Sequence, residues 1–161
     1  MAAALPFDTY AAWQAAVGEV IASAEHEVLI FDSDLSACGL ETAAGVAALG
    51  ALLQRSSAAL AVRVLLGSAD HLERHCPRLL RLIGQYTPRI RVRVLPEDGP
   101  DAAQHCLALA DGQHLAIRFH RDGARGKHVS GDPVGSAALL AQFETMWISA
   151  GDGPNGLPLG I

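Results

Sequence analysis

Gln104-His105-Cys106-Leu107-Ala108-Leu109-Ala110-Asp111-Gly112-Gln113-His114-Leu115-Ala116-Ile117-Arg118-Phe119 is the stretch whose reading decides the fold. Two apolar runs, residues 103–110 and 114–119, flank Asp111-Gly112, a dipeptide that accepts the positive φ angles of a tight hairpin turn. The spacing predicts an antiparallel pair of strands. Upstream, Ile90, Val92 and Val94 alternate with Arg89, Arg91 and Arg93, the pattern of a half-exposed strand. Residues 60–66 and 26–31 are short β-branched runs that read as buried strands, the second ending in Asp32-Ser33-Asp34.

Helices are predicted between these strands. Asp8 or Thr9 can cap a helix carrying Tyr10, Trp13, Val17, Val20 and Ile21 at helical spacing. Residues 39–55, with Val46, Leu49, Leu52 and Leu53 on one side, read as a second. Asp70 with Glu73 resembles a capping box, but proline is tolerated only in the first turn of a helix. A short turn from Asp70 followed by a main helix over residues 77–85 is therefore expected, ended by Gly84 and Pro88. Asp132-Pro133 opens a last helix with Leu139, Leu140, Phe143, Met146 and Trp147. Residues 118–130 read as a basic, Gly-punctuated loop, and residues 151–161, rich in Gly and Pro, as a disordered tail. The predicted order is α-β-α-β-α-β-β-β-α. It gives an α/β domain over residues 1–150, with a mixed sheet flanked by helices on both faces.

With 161 residues the chain closes one core, and at 50% hydrophobic but 5% aromatic residues that core is built from Leu, Val, Ile and Ala. No apolar run approaches the roughly 20 residues that span a bilayer. The first ten residues lack a basic segment followed by an apolar one, so a cytoplasmic protein without a signal peptide and without membrane insertion is expected. Cys38, Cys76 and Cys106 are odd in number and lack metal-ligand spacing, which suits reduced thiols filling a core. The net charge of −5 is polarised: residues 1–62 hold seven acids with Arg55 as the sole base, whereas residues 63–127 hold eleven of the twelve basic residues. General nucleic-acid binding, which neutralises phosphates with Lys and Arg, is disfavoured by that balance.

From about residue 25 to 147, the element order resembles one repeat of the phospholipase D superfamily. Active members of that superfamily carry an H-x-K-x-x-x-x-D motif on the penultimate hairpin, followed by a small Gly-Ser type pair. Aligned on the Asp111-Gly112 turn, Gln104 stands where the nucleophilic His belongs and Cys106 where the Lys belongs. His105 is one residue out of register, which on a strand means the opposite face. Aligning on His105 instead puts Leu107 and Gly112 at the Lys and Asp positions. Arg118-Phe119 replaces the small pair and is expected to crowd a phosphate pocket. The family's chemistry needs a His nucleophile that forms a covalent phospho-enzyme and a Lys that holds charge. The resemblance therefore implies a catalytically inactive module, more a binding, regulatory or self-association domain than an enzyme.

Phe31-Asp32-Ser33-Asp34-Leu35, Pro77-Arg78-Leu79-Leu80-Arg81-Leu82, Arg89-Ile90-Arg91-Val92-Arg93 and Phe143-Glu144-Thr145-Met146-Trp147 resemble an uncharacterised bacterial group of degenerate phospholipase D-like domains. Some members of that group are joined to acetyltransferase domains. Single-repeat relatives with activity pair two copies across the catalytic strands, so the resemblance also implies a homodimer.

Four constellations are candidate sites. Asp32 and Asp34 follow a buried strand, where open α/β sheets place ligands, and could hold magnesium or supply a nucleophile and an acid. That pattern is similar to the D-x-D start of the haloacid dehalogenase phosphatases, with Ser68, Lys127 and Gly131-Asp132 a loose fit to their later motifs. A small magnesium-dependent phosphohydrolase is thus the rival function, against a plainer role in turn formation and helix capping. Arg118, His120, Arg121, Arg125, Lys127 and His128 gather around Gly123 and Gly126, where backbone amides and guanidinium forks could meet an anion beside Asp32. Arg89, Arg91 and Arg93, joined by Arg74, Arg78 and Arg81, form a candidate basic surface for nucleic acid or an acidic partner. Only Tyr86 offers stacking there, so an acidic protein or the acidic first third of another copy explains the surface at least as well. His71 and His75 sit four apart, a zinc-compatible spacing without a third ligand, so an exposed polar face is the simpler reading.

Overall fold

The computed structural model describes residues 3–97 and 104–154. In chain order the elements are β1 (Ala4–Phe7), α1 (Tyr10–Ser23), β2 (Val28–Asp32), α2 (Ala43–Arg55), β3 (Val62–Leu66), α3 (Asp70–His75), α4 (Pro77–Tyr86), β4 (Ile90–Val94), β5 (Cys106–Ala110), β6 (His114–Arg118), β7 (Gly126–Val129), α5 (Pro133–Ser149) and β8 (Gly151–Asp152). The strands form one mixed sheet in the order β1-β7-β6-β5-β2-β3-β4-β8. β2, β3 and β4 run parallel, and β5 lies antiparallel to β2. All five residues of β2 are buried, as a strand covered on both faces requires.

Local chemistry sets the element ends. The hydroxyl of Thr9 accepts from the Ala12 amide at 3.1 Å, that of Thr42 from Gly45 at 3.0 Å, and the Asp132 carboxylate from Gly135 at 3.0 Å. These three side chains are the N-caps of α1, α2 and α5. The Glu41 carboxylate reaches across to the first amides of α4, Arg78 at 3.1 Å and Leu79 at 2.9 Å. At the hairpin, Asp111 has φ 54° and Gly112 φ 68°, and the Gln113 amide donates to the Ala110 carbonyl at 3.0 Å. Two consecutive positive φ values define the tight turn that right-twisted strands accept.

The two faces of the sheet are covered unequally. Against one lie α1, α2, α3 and α4, with Trp13, Val17, Val20, Ile21, Leu49, Leu52, Leu72, Leu79 and Ile83 packed on Ile30, Val64, Val92 and Ala108. Against the other lies α5, with Phe143 and Trp147 packed on Leu29, Phe31, Leu65, Leu107, Leu109, Leu115 and Ile117. Among the described residues no helix is long and apolar enough to cross a membrane.

Three strands extend the expected order. β7 forms inside what reads as a basic loop, because Gly126 lets the chain pass against Phe7 of β1: a Cβ there would sit 2.6 Å from the Phe7 ring. β1 adds to β7, with Ala4 opposite Val129. β8 pairs Gly151 with Val94 and Asp152 with Arg93, so the segment expected to lose order after residue 150 begins as an edge strand. Residues 155–161 of that expected tail lie outside the described residues. The second helix starts at Ala43 rather than residue 39, since Thr42 supplies the cap.

Candidate functional site

Strand register brings the ends of four neighbouring strands together at one end of the sheet. Phe31 pairs with Leu107, which sets Asp32 beside the start of β5; Cys106 pairs with Arg118 at the end of β6, and Arg118 with Gly126 at the start of β7. Asp32, Cys106 and Arg118 are 1%, 0% and 2% exposed, so this junction is sealed.

Arg118 organises it. One terminal nitrogen donates to the carbonyls of Arg121 and Gly123, each at 2.9 Å, and the other to the Cys106 sulfur at 3.3 Å. Its guanidinium carbon lies 5.5 Å from the Tyr10 ring centroid and 5.6 Å from that of Trp13, within cation–π range. The forks expected to grip an anion are turned inward to hold the following loop. Cys106 beneath is a thiol: burial, then the nearby Asp32 charge, push its pKa up to about 11.

Asp32 accepts from the amides of Asp34 at 3.1 Å and Leu35 at 3.0 Å through one oxygen, and its other oxygen is buried with no hydrogen-bond partner among the described residues. Burial raises its pKa, outweighing those amides and Arg118. Asp34 instead accepts from the Ser36 amide at 2.9 Å and hydroxyl at 2.6 Å. The two carboxylates are thus each engaged in local turns. Asp132 caps α5, and its amide donates to Gln113 beside the hairpin turn, the opposite end of the sheet from Asp32. The Ser68 hydroxyl accepts from the Asp70 amide at 3.3 Å. Among the described residues no three His, Cys, Asp or Glu side chains group as metal ligands; the His71 and His75 rings stand 5.2 Å apart by themselves.

Residues 119–125 form a closed loop. The Phe119 amide donates to Arg125 at 2.9 Å, Arg121 to Gln104 at 2.6 Å, Gly123 to His120 at 3.1 Å, and Asp122 to the His120 ring at 3.2 Å. His120 also meets the Gln104 side chain at 2.6 Å. An amide nest for an anion, expected around Gly123 and Gly126, is not what forms: these amides are used internally and Gly126 is buried in β7. The cations then diverge. Lys127 lies opposite Ile117, on the α5 face, while His128 lies opposite Ala116 on the other face, 3.3 Å from Glu19. His120, Arg121 and Arg125 stay exposed at the tip, and Phe119, His120, Gly123 and Arg125 line a hollow of about 280 Å³.

The motif strand divides its residues by alternation. His105 packs on the α5 face, edge-on to Phe31 at 5.6 Å, and burial lowers its pKa. Gln104 is exposed, whereas Cys106 belongs to the core beneath α1. At the turn, Asp111 accepts from the amides of Glu25 at 2.8 Å and of His26 and Glu27 at 3.0 Å each. Burial alone would raise its pKa, but these three amides outweigh it and hold the carboxyl below its ordinary value.

The six arginines expected to form one basic surface are dispersed. Arg89 holds the carbonyls of Leu53, Ser56 and Ala58 behind α2. Arg91 and Arg93 are in register with Arg63 and Leu65 on the α5 face, where Arg93 donates to the Trp147 carbonyl at 2.8 Å and lies 4.7 Å from its ring. Arg74, Arg78 and Arg81 are exposed on α3 and α4, across the sheet. Alternation along β4 and the sheet between them separate the two groups. Arg63, unremarked in the sequence, pairs with Glu144 and stacks over Phe143 at 5.4 Å. Nothing in its own strand signals that partner, which is 81 residues away.

A mixed sheet with parallel β2-β3-β4, an antiparallel β5-β6-β7 and helices on both faces is the phospholipase D-like fold. The chain superposes on a phospholipase D family member, Nuc from Salmonella typhimurium, with a TM-score of 0.69 at 13% identity over 95% of this chain and 99% of that one. It also superposes on NucT from Helicobacter pylori with a TM-score of 0.66 at 11% identity, covering 95% and 100%. TrmBL2, an archaeal chromatin protein with a novel mode of DNA binding, matches with a TM-score of 0.65 at 15% identity; 93% of this chain is covered, but only 54% of TrmBL2. The chain itself belongs to the family described as Domain of unknown function (DUF7931), whose profile matches residues 9–155. No curated protein matches it.

Proposed function

We propose that this chain is a catalytically inactive phospholipase D-like module of the bacterial cytoplasm, acting by binding and self-association in an accessory role. The observation that carries the reading is Cys106: the position of the motif lysine holds a fully buried thiol capped by Arg118, and the nucleophile position holds Gln104. Neither supplies a nucleophile and a mobile cation to one phosphate. The exposed tip with His120, Arg121 and Arg125 remains the side of the molecule that suits an acidic partner.

Incubation with bis(p-nitrophenyl) phosphate, and with p-nitrophenyl phosphate plus magnesium, tests this. No release of nitrophenol above background is expected. Diester hydrolysis overturns the reading. Monoester hydrolysis that Asp32→Asn abolishes installs the magnesium-dependent phosphohydrolase instead.

A further inference from the structure

We propose that the loop tip at residues 119–125 docks a short acidic segment of a partner protein, one apolar side chain of which seats against Phe119 while its carboxylates pair with Arg121 and Arg125. This names the partner chemistry for the binding role in the reading above and rests on that role alone.

The fold leaves this corner uncovered. α5 starts beside the hairpin turn, where the Asp132 amide donates to the Gln113 carbonyl, and ends at β8, which pairs with β4. It therefore crosses the sheet away from the loop ends of β6 and β7. Phe119 follows Ile117 on the α5 face by strand alternation and is 49% exposed. Arg125 closes the strand pair opposite it, accepting from the Phe119 amide at 2.9 Å, and the two residues line a hollow of about 280 Å³ with His120 and Gly123. That space suits one side chain of a peptide better than a folded surface. Phe and Arg are also the residue types that interface cores favour.

Charge selects the occupant. Arg121 and Arg125 are exposed and make no ion pair among the described residues. Asp122, the sole acid of residues 119–125, turns to the His120 ring, 3.5 Å from Nδ1. Lys127, on the same face as Phe119, adds a third cation. A cationic corner on a chain of net charge −5 is matched by carboxylates, the acidic-motif mode of peptide recognition by arginine clusters. Nucleic acid is the poorer fit, because a strand of phosphates needs a longer row of cations and the remainder of this chain repels it.

The tip is preorganised as well. Arg118 holds the carbonyls of Arg121 and Gly123 from beneath, and the amides of the same two residues are bonded to Gln104 and His120. A loop fixed before docking loses little conformational freedom on docking. The contact is far smaller than the roughly 1,200–2,000 Å² of a stable interface, so it is weak and reversible.

Fluorescence polarisation with the fluorescein-labelled peptide Gly-Glu-Asp-Glu-Phe-Asp-Glu-Gly is expected to show saturable, salt-sensitive binding in the micromolar range. Arg121→Glu combined with Arg125→Glu is expected to weaken it more than about tenfold, and Phe119→Ser about tenfold, with circular dichroism unchanged because all three side chains are exposed. The same peptide with Ser in place of its Phe is expected to bind about tenfold more weakly to the unsubstituted chain, a comparison that leaves the protein unaltered. No binding at millimolar peptide overturns the proposal, as does binding that tolerates the arginine substitutions or the loss of the peptide ring. Tighter binding of an oligothymidylate of equal length at about 0.15 M salt also overturns it and assigns the corner to nucleic acid. Phosphodiester hydrolysis would overturn the inactive reading while leaving peptide docking untouched, and failure of the peptide to dock would leave that inactivity standing.

Discussion

At the turn end of β5, Asp111 holds the amides of Glu25, His26 and Glu27 and so ties the hairpin to the start of β2. At the other end, five residues away, Cys106 is packed under α1 and Arg118 is folded over it. Both ends belong to one hairpin, and their difference is instructive. Asp111 serves the backbone of the fold through hydrogen bonds, whereas Cys106 and Arg118 serve its packing. One strand thus serves the hairpin turn at one end and the core under α1 at the other.

The sharpest way to break that comparison is to place a lysine at position 106 and a histidine at position 104. Cys106→Lys sets an ammonium in a fully buried position beside Arg118 and is expected to cost on the order of 4–5 kcal/mol by urea denaturation. Combined with Gln104→His it is expected to give no diester hydrolysis, and measurable turnover would show that the strand still presents a working pocket. Arg118→Ala comes next, at about 3 kcal/mol, because it strips the carbonyls of Arg121 and Gly123 of their donor and leaves a void against Tyr10 and Trp13. Loss of backbone amide protection confined to residues 119–125 would accompany it in hydrogen exchange. Asp111→Ala is expected to cost about 2 kcal/mol, from three lost charge-assisted bonds and a left-handed backbone that alanine resists. A cost smaller than that of any exposed-loop alanine would dissolve the contrast between the two ends.

The smallest effects are in pH. Asp111 has a depressed folded pKa, so its stabilisation is complete above about pH 4 and is lost as pH falls through the folded value. Asp111→Asn should flatten the loss of stability in that acid range. Asp32 has a raised folded pKa, so its contribution is complete below about pH 4 and is lost as pH rises through the folded value. The stability of Asp32→Asn relative to the unsubstituted chain should accordingly improve between pH 4 and pH 7, measured by urea midpoints at each pH.

Much of this fold is legible in the sequence because its signals are local. The Asp111-Gly112 turn, the break before Pro77 and the alternation of Ile90, Val92 and Val94 each act within a few residues. β1 and β7 escaped because short strands with Pro6 and Gly126 have no period of their own and exist only by pairing with each other and with β6. The site was less legible for a related reason. Arg118 reads as one more cation in a basic loop, and only the three-dimensional placement of Tyr10 and Trp13 above it makes it a core residue. Likewise the arginines from Arg74 to Arg93 are close in sequence, but an intervening sheet parts them, a fact no one-dimensional count of charge contains.

Arg118 has one more consequence, in how this domain can change. With its guanidinium braced between the loop carbonyls and Cys106, Arg118 opposes a lysine at position 106, and the arginine cannot leave without loosening the loop. A lysine at position 106 therefore comes with a less stable protein. Substitutions at the exposed loop tip, at His120, Arg121 or Arg125, meet no such resistance.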